Sequence, residues 1–260
     1  MKVLRPLKGR TFGIGVMLLA FSAFCTAEIR QLTYSGHAYD TRNDNLVFVE
    51  RYAEYYNRAN QLVRSSVKYY SNADSLLAEK QLDYQAHPYA PAFRYSNIKT
   101  GYIESLRWIG DKEILLTHYE PGKTEKQKRL TLNDDPNEPY VADAGFDSYI
   151  RANLSTLSRG EALTFRFLNP SRLDWFRFQA TLLDKREAYL LVEVVPKNRL
   201  LRLLVAPIFL SYATGNPVHG QQRLMQYSGL TNMSLDNQEY IKANILYRYE
   251  NTPQQLVNMF

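Results

Sequence analysis

The residues best equipped for chemistry are few. Four histidines occur, at 37, 87, 118 and 219. His118 and Glu120 are two apart in a segment that alternates like a strand, so both point to one face. Such a pair could ligate a metal or exchange a proton. One histidine and one carboxylate do not complete a zinc site, which takes three or four protein ligands. His37, His87 and His219 sit in or beside turns and read as surface or loop residues. No G-x-S-x-G, H-E-x-x-H or phosphate-binding glycine loop occurs, and Gly13-Ile14-Gly15 lies in an apolar leader. The expectation is therefore no catalytic residue, no metal site, no cofactor and no enzymatic activity, with a hydrolase centred on His118 as a minor alternative.

What remains is apolar surface that could line a pocket. Residues 143–160 (DAGFDSYIRANLSTLSRG) place Phe146, Tyr149, Ile150, Leu154 and Leu157 at i, i+3, i+4, i+8 and i+11, one face of a helix over about 144–159. Asp143 is a candidate N-cap and Gly160 the stop. After it, Leu163, Phe165 and Phe167 share one strand face, as do Phe176, Phe178, Ala180 and Leu182. The run LLVAPIFL at 203–210 reads as a buried strand carrying Leu204 and Ile208. The candidate cavity set is thus Phe146, Tyr149, Ile150, Leu154, Leu157, Phe165, Phe167, Phe176, Phe178, Leu204 and Ile208.

The elements that must position these residues are strands. Alternating segments bounded by turn formers recur from Ile29 to Tyr249, before and after the helix. Hairpins are expected over 29–52, 63–84 and 102–119. Residues 126–132 form a charged strand near an edge, where lysines discourage pairing with other chains. Residues 133–140 (NDDPNEPY) read as a loop. The twenty tyrosines suit half-buried strands, rings packed and hydroxyls wet. The fold class is mainly β: a single curved antiparallel sheet, a half-barrel, wrapped around one helix, with an apolar concave face.

Residues 1–27 read as a signal peptide. Lys2, Arg5, Lys8 and Arg10 precede the apolar stretch 12–24, and Cys25-Thr26-Ala27 offers a cleavage site before Glu28. Phe24 before Cys25 argues against lipidation there. Periplasmic localisation follows, with one domain over 28–260, a tail at about 251–260, and no integral membrane segment after cleavage. The chain carries 32 Lys and Arg against 26 Asp and Glu. Four of the basic residues leave with the leader, so the mature protein is near neutral and no nucleic-acid partner is indicated. The single cysteine leaves too, so no disulfide is expected.

Several motifs carry a family resemblance: VPKNRLLRLLVAPI at 195–208, Tyr212, QYSGLTN at 226–232 and a closing strand ending in Tyr247-Arg248-Tyr249. Gly36 to Tyr39, Leu46 to Glu50, Tyr70, KQLDY at 80–84 and the Pro88/Pro91 loop agree with it. Together they resemble uncharacterised Gram-negative periplasmic proteins whose architecture is similar to the half-barrel of the lipoprotein-localisation (Lol) carriers. That resemblance implies a half-barrel over helix enclosing an apolar cavity for acyl chains. The Lol carriers use several helices as a lid where this chain offers one. The expected function is a non-enzymatic binding or carrier protein with a lipid or acyl ligand in the concave face. The alternative is an envelope interaction or assembly protein with a filled core, an envelope protein as partner and an exposed apolar patch. Oligomeric state is open.

Overall fold

The computed structural model describes residues 30–214, 222–235 and 240–249. The leader with Cys25, His219 and the tail at 251–260 lie outside them. Among the described residues, fifteen strands form one sheet. The first eight are β1 (Arg30–Asp40), β2 (Leu46–Tyr56), β3 (Leu62–Tyr70), β4 (Leu76–Asp83), β5 (Ala92–Asn97), β6 (Ile103–Trp108), β7 (Glu113–Tyr119) and β8 (Lys126–Thr131). The chain then passes through β9 (Tyr140–Ala142), α1 (Gly145–Ala152) and α2 (Leu154–Ser158). The second half is β10 (Leu163–Asn169), a 3-10 turn at Pro170–Arg172, β11 (Asp174–Lys185), β12 (Tyr189–Pro196), α3 (Arg199–Arg202), β13 (Ile208–Ala213), β14 (Leu224–Leu230) and β15 (Lys242–Tyr249).

The strand order shows two meanders joined at the centre. One runs outward from β1 to β8 and the other inward from β9 to β15, and β1 pairs with β15. All pairs are antiparallel except β9 with β10. A parallel pair needs a crossover of a dozen residues or more, and α1 with α2 supplies it. The charged strand β8 lies at one edge, as expected, with Lys126, Lys128 and Arg129 exposed. The sheet curls far enough that its two ends approach each other. Lys128 Nζ on β8 reaches Asp174 Oδ2 on β11 at 3.0 Å. On the inner side, Asn97 Nδ2 donates to the carbonyl of Ser234 at 2.8 Å, so the loop before β15 folds onto β5. The architecture is mainly β, one large open curved sheet with few helices.

The helical segment differs from a single helix over 144–159. It breaks at Asn153, whose side-chain amide donates to the carbonyl of Tyr149 while its N–H turns to Ile150. An Asn side chain competing with the backbone in this way ends a helical run. The apolar face survives the break: Phe146, Tyr149, Ile150, Leu154 and Leu157 are all buried. Gly160 closes α2 in the left-handed conformation, φ 82°. Asp143 is not a cap. Its backbone is left-handed at φ 45° and its carboxylate turns inward. Gly145 is required by a close approach, because a Cβ there would stand 2.2 Å from the carbonyl oxygen of Tyr89. The start of α1 is thereby pressed onto the Pro88/Pro91 loop of the other meander.

Two further corrections concern strands. β9 occupies residues expected to be loop and helix approach. The segment 203–207 is not a buried strand. Leu200, Leu203 and Leu204 are 73%, 82% and 83% exposed, and β13 starts only at Ile208. Pro207 has no N–H for a ladder. Asn198 instead caps the one-turn α3, its Oδ1 accepting from the Leu200 N–H at 2.8 Å.

Candidate functional site

The concave face is hollow. A cavity of about 360 Å³ lies between the two meanders and the start of α1. That is within the about 300–1,000 Å³ usual for small-molecule sites.

One wall is apolar. Phe165 on β10 stacks on Phe178 of β11, ring centroids 6.1 Å apart at 12°, and Phe146 of α1 packs on Phe165 at 5.8 Å. Phe167, Ile208 and Leu210 extend this wall. Alternation on β10 sends Leu163, Phe165 and Phe167 to one side, and Phe165 lies opposite Phe178 in the ladder.

The other wall is polar, which corrects the expectation of an apolar concave face throughout. Register alone assembles it. Glu104 on β6 lies opposite Tyr95 on β5, Tyr95 opposite Lys80 on β4, Lys80 opposite Val67 on β3, and Val67 opposite Tyr52 on β2. Tyr52 lies opposite Tyr34, and Tyr34 opposite Tyr249. Glu50, Tyr52, Glu54 and Tyr56 occupy alternate positions of β2 and so share the inner face. Four of this wall's tyrosine hydroxyls are not wet as expected; they donate to buried carboxylates. Tyr52 donates to Glu50 at 2.8 Å, Tyr34 and Tyr56 both donate to Glu54, and Tyr102 donates to Glu104 at 2.9 Å. Tyr212 on β13 does the same to Asp147 of α1 at 2.9 Å.

The charges fall into two groups. In the first, Lys80 Nζ contacts both carboxylate oxygens of Asp143, at 2.9 and 2.8 Å, with Glu50 and Glu104 to either side. In the second, Glu54 and Asp147 face Arg151 and Arg223. Arg151 Nε is 2.8 Å from Asp147 Oδ2, and Arg223 Nη1 is 3.4 Å from Glu54 Oε2. Burial pushes Glu50 and Glu104 up to about 7, against hydrogen bonds from Tyr52 and Tyr102 and the attraction of Lys80. For Lys80, burial favours the neutral amine, but Asp143, Glu50 and Glu104 outweigh it and the ammonium is held more firmly than usual. Gly36 on β1 makes room for this group: a Cβ there would stand 2.9 Å from Glu50 Oε2 and from the Tyr247 ring.

Of the residues expected to line a cavity, Phe146, Phe165, Phe167, Phe178 and Ile208 do so. Tyr149, Ile150, Leu154 and Leu157 are buried on the inner side of α1 and α2 but do not border the space. Phe176, opposite Phe167 in the ladder, is half-buried and away from it. Leu204 is in solvent, because Pro207 delays the strand. His118 and Glu120 do contact each other, Nε2 to Oε1 at 2.9 Å, and Glu120 is also bound by Lys123. Among the described residues no cluster of His, Cys, Asp or Glu could hold a metal. The charged residues of the inner wall were not anticipated. Their signal was the alternation F-x-E-x-Y-x-E-x-Y at 48–56, which puts two glutamates on the face of a buried Phe48.

Fold and site together define a mainly β protein whose single open sheet curls around a cavity with one aromatic-aliphatic wall and one tyrosine-carboxylate wall. No family model and no curated protein matches the chain. Among solved structures it is similar to a β-barrel-like protein of domain of unknown function DUF1849 from Brucella abortus, with a TM-score of 0.45 and 8% identity, over 87% of this chain and 99% of that one.

Proposed function

We propose that this chain is a non-enzymatic periplasmic binding or carrier protein that holds an amphipathic, lipid-like ligand in the concave face of its sheet. The observation that carries the reading is the cavity itself, lined by Phe146, Phe165, Phe167 and Phe178 opposite Glu50 and Lys80. An empty space bordered by large apolar side chains forfeits packing contacts that a ligand's hydrocarbon restores. The pattern at 1–27 supports secretion, and the motifs at 195–208 and 226–232 support a half-barrel of the Lol-carrier kind.

Native mass spectrometry of the protein purified from a Gram-negative periplasm tests this. The expected result is a non-covalent adduct of lipid-like mass. It should be lost when Phe178→Trp and Ile208→Trp together fill the cavity. A bare protein mass, with no uptake of added amphiphiles by the wild type, overturns the reading.

A second reading, an envelope interaction protein, is favoured by one observation: the leucines exposed on and after α3, flanked by Arg199 and Arg202. The same patch fits a carrier that docks as readily as an assembly factor.

A further inference from the structure

The two charged groups of the inner wall differ in balance. Glu54 and Asp147 are matched by Arg151 and Arg223, two acids against two bases. Glu50, Glu104 and Asp143 are matched by Lys80 alone, and Lys80 gives its contacts to Asp143. Neither Glu50 nor Glu104 forms an ion pair with a described side chain; each accepts a tyrosine hydroxyl instead. Both are nearly inaccessible, 5% and 8% exposed, and both line the cavity. Carboxylates buried without a positive partner are costly, and they persist where something completes them.

We propose that the cavity's ligand is a cationic amphiphile, with its ammonium head group paired with Glu50 or Glu104 on one flank of the Lys80–Asp143 pair and its hydrocarbon against Phe165 and Phe178. This rests on the carrier reading above and names the class of ligand. The groups facing the head-group position are Lys80 from β4 and Asp143 before α1, together with the hydroxyls of Tyr52, Tyr102 and Tyr247. One added positive charge brings this group closer to the balance the second group already has. An anionic head group would instead meet two carboxylates and an ammonium already engaged. Because burial holds Glu50 and Glu104 up to about 7 in the empty cavity, a cation binding there displaces protons, and affinity falls as the medium is acidified below neutrality.

Three ligands of one chain length test the head group: decylammonium, decanoate and 1-decanol, titrated calorimetrically into the wild type and a Glu50→Gln/Glu104→Gln variant. Gln keeps the shape of a protonated glutamate, and near-ultraviolet circular dichroism verifies the fold. The expected result at about pH 8 is decylammonium bound at least ~10-fold more tightly than 1-decanol, with decanoate weakest, and at about pH 6 weaker decylammonium binding accompanied by proton release. The variant should bind decylammonium no better than the alcohol, with alcohol binding unchanged. If 1-decanol or decanoate binds as tightly as decylammonium, or the variant keeps the preference, the head-group assignment is overturned while the carrier reading stands. If none of the three binds, both fall.

Discussion

The two meanders meet the same cavity with different chemistry. β2 to β6 present Glu50, Glu54, Lys80 and Glu104 among tyrosines, while β10 to β14 present Phe165, Phe178, Ile208 and Leu210. Both faces obey the same alternation, and both bury what they turn inward. On the phenylalanine side, burial is favourable by itself, at roughly 25 cal/mol per Å² of apolar surface. On the tyrosine side it is favourable only because each carboxylate has a donor and some have a cation. Burial in one half is therefore independent of pH, and in the other it depends on protonation.

The sharpest way to break that contrast is to remove one residue from each half. Lys80→Met leaves Asp143, Glu50 and Glu104 buried without a cation, at a cost of about 3–5 kcal/mol near neutral pH. Phe165→Ala costs a similar ~3–5 kcal/mol from the lost ring and the enlarged cavity. Urea unfolding at two pH values separates them. The Lys80→Met penalty shrinks under mild acid, where Glu50 and Glu104 are protonated, and the Phe165→Ala penalty does not. Equal pH dependence of the two would dissolve the distinction.

A smaller effect follows from the two glutamates alone. Their folded values of about 7 stand above the ordinary 4.5. Between those values the folded protein binds more protons than the unfolded chain, so ligand-free stability declines as pH rises from about 4.5 to about 7 and stays low above it. Glu50→Gln/Glu104→Gln should remove that decline and stabilise the empty protein at about pH 8 by on the order of 2 kcal/mol, with little gain at about pH 5. Melting curves across that range check it; a variant less stable than the wild type at the higher pH would contradict it.

The smallest effect is expected outside both halves. Leu203→Ser with Leu204→Ser should change stability by no more than ~0.5 kcal/mol, because both side chains are already in solvent. A larger loss in urea unfolding would mean that the Leu203 and Leu204 side chains pack against the protein rather than standing in solvent.

The strands were legible because alternation is local: each hairpin can be read without knowing its neighbours. The apolar cavity wall was legible for the same reason, since Phe165 and Phe178 announce their faces within their own strands. The charged wall was not, because Glu50, Lys80 and Glu104 come from three separate strands, and only register sets them in one group. The exposure of Leu203 and Leu204 was misread from apolar composition, although Asn198 and Pro207 bracketed the segment with a cap and a break. The single helix was misread at Asn153, where the period of 3.6 continues across a backbone interruption that periodicity does not record.

The central ladder of β1 with β15 has a consequence for how the molecule forms. Every other pairing in the sheet is between strands consecutive in the chain, so, the parallel β9–β10 pair apart, each meander can zip up hairpin by hairpin. The ladder that pairs Tyr34 with Tyr249 joins the beginning of one meander to the end of the other, and it closes the longest loop in the sheet. During synthesis β1 emerges long before its partner. Until β15 arrives, β1 has only β2 beside it and an unpaired edge on its other side. Tyr34, which ends stacked on Tyr52 at 4.4 Å and beside Tyr249 at 4.6 Å and Tyr247 at 6.1 Å, then packs on one ring rather than three. The seam at the middle of the sheet thus joins the parts of the chain furthest apart in sequence, and it brings the two walls of the cavity together.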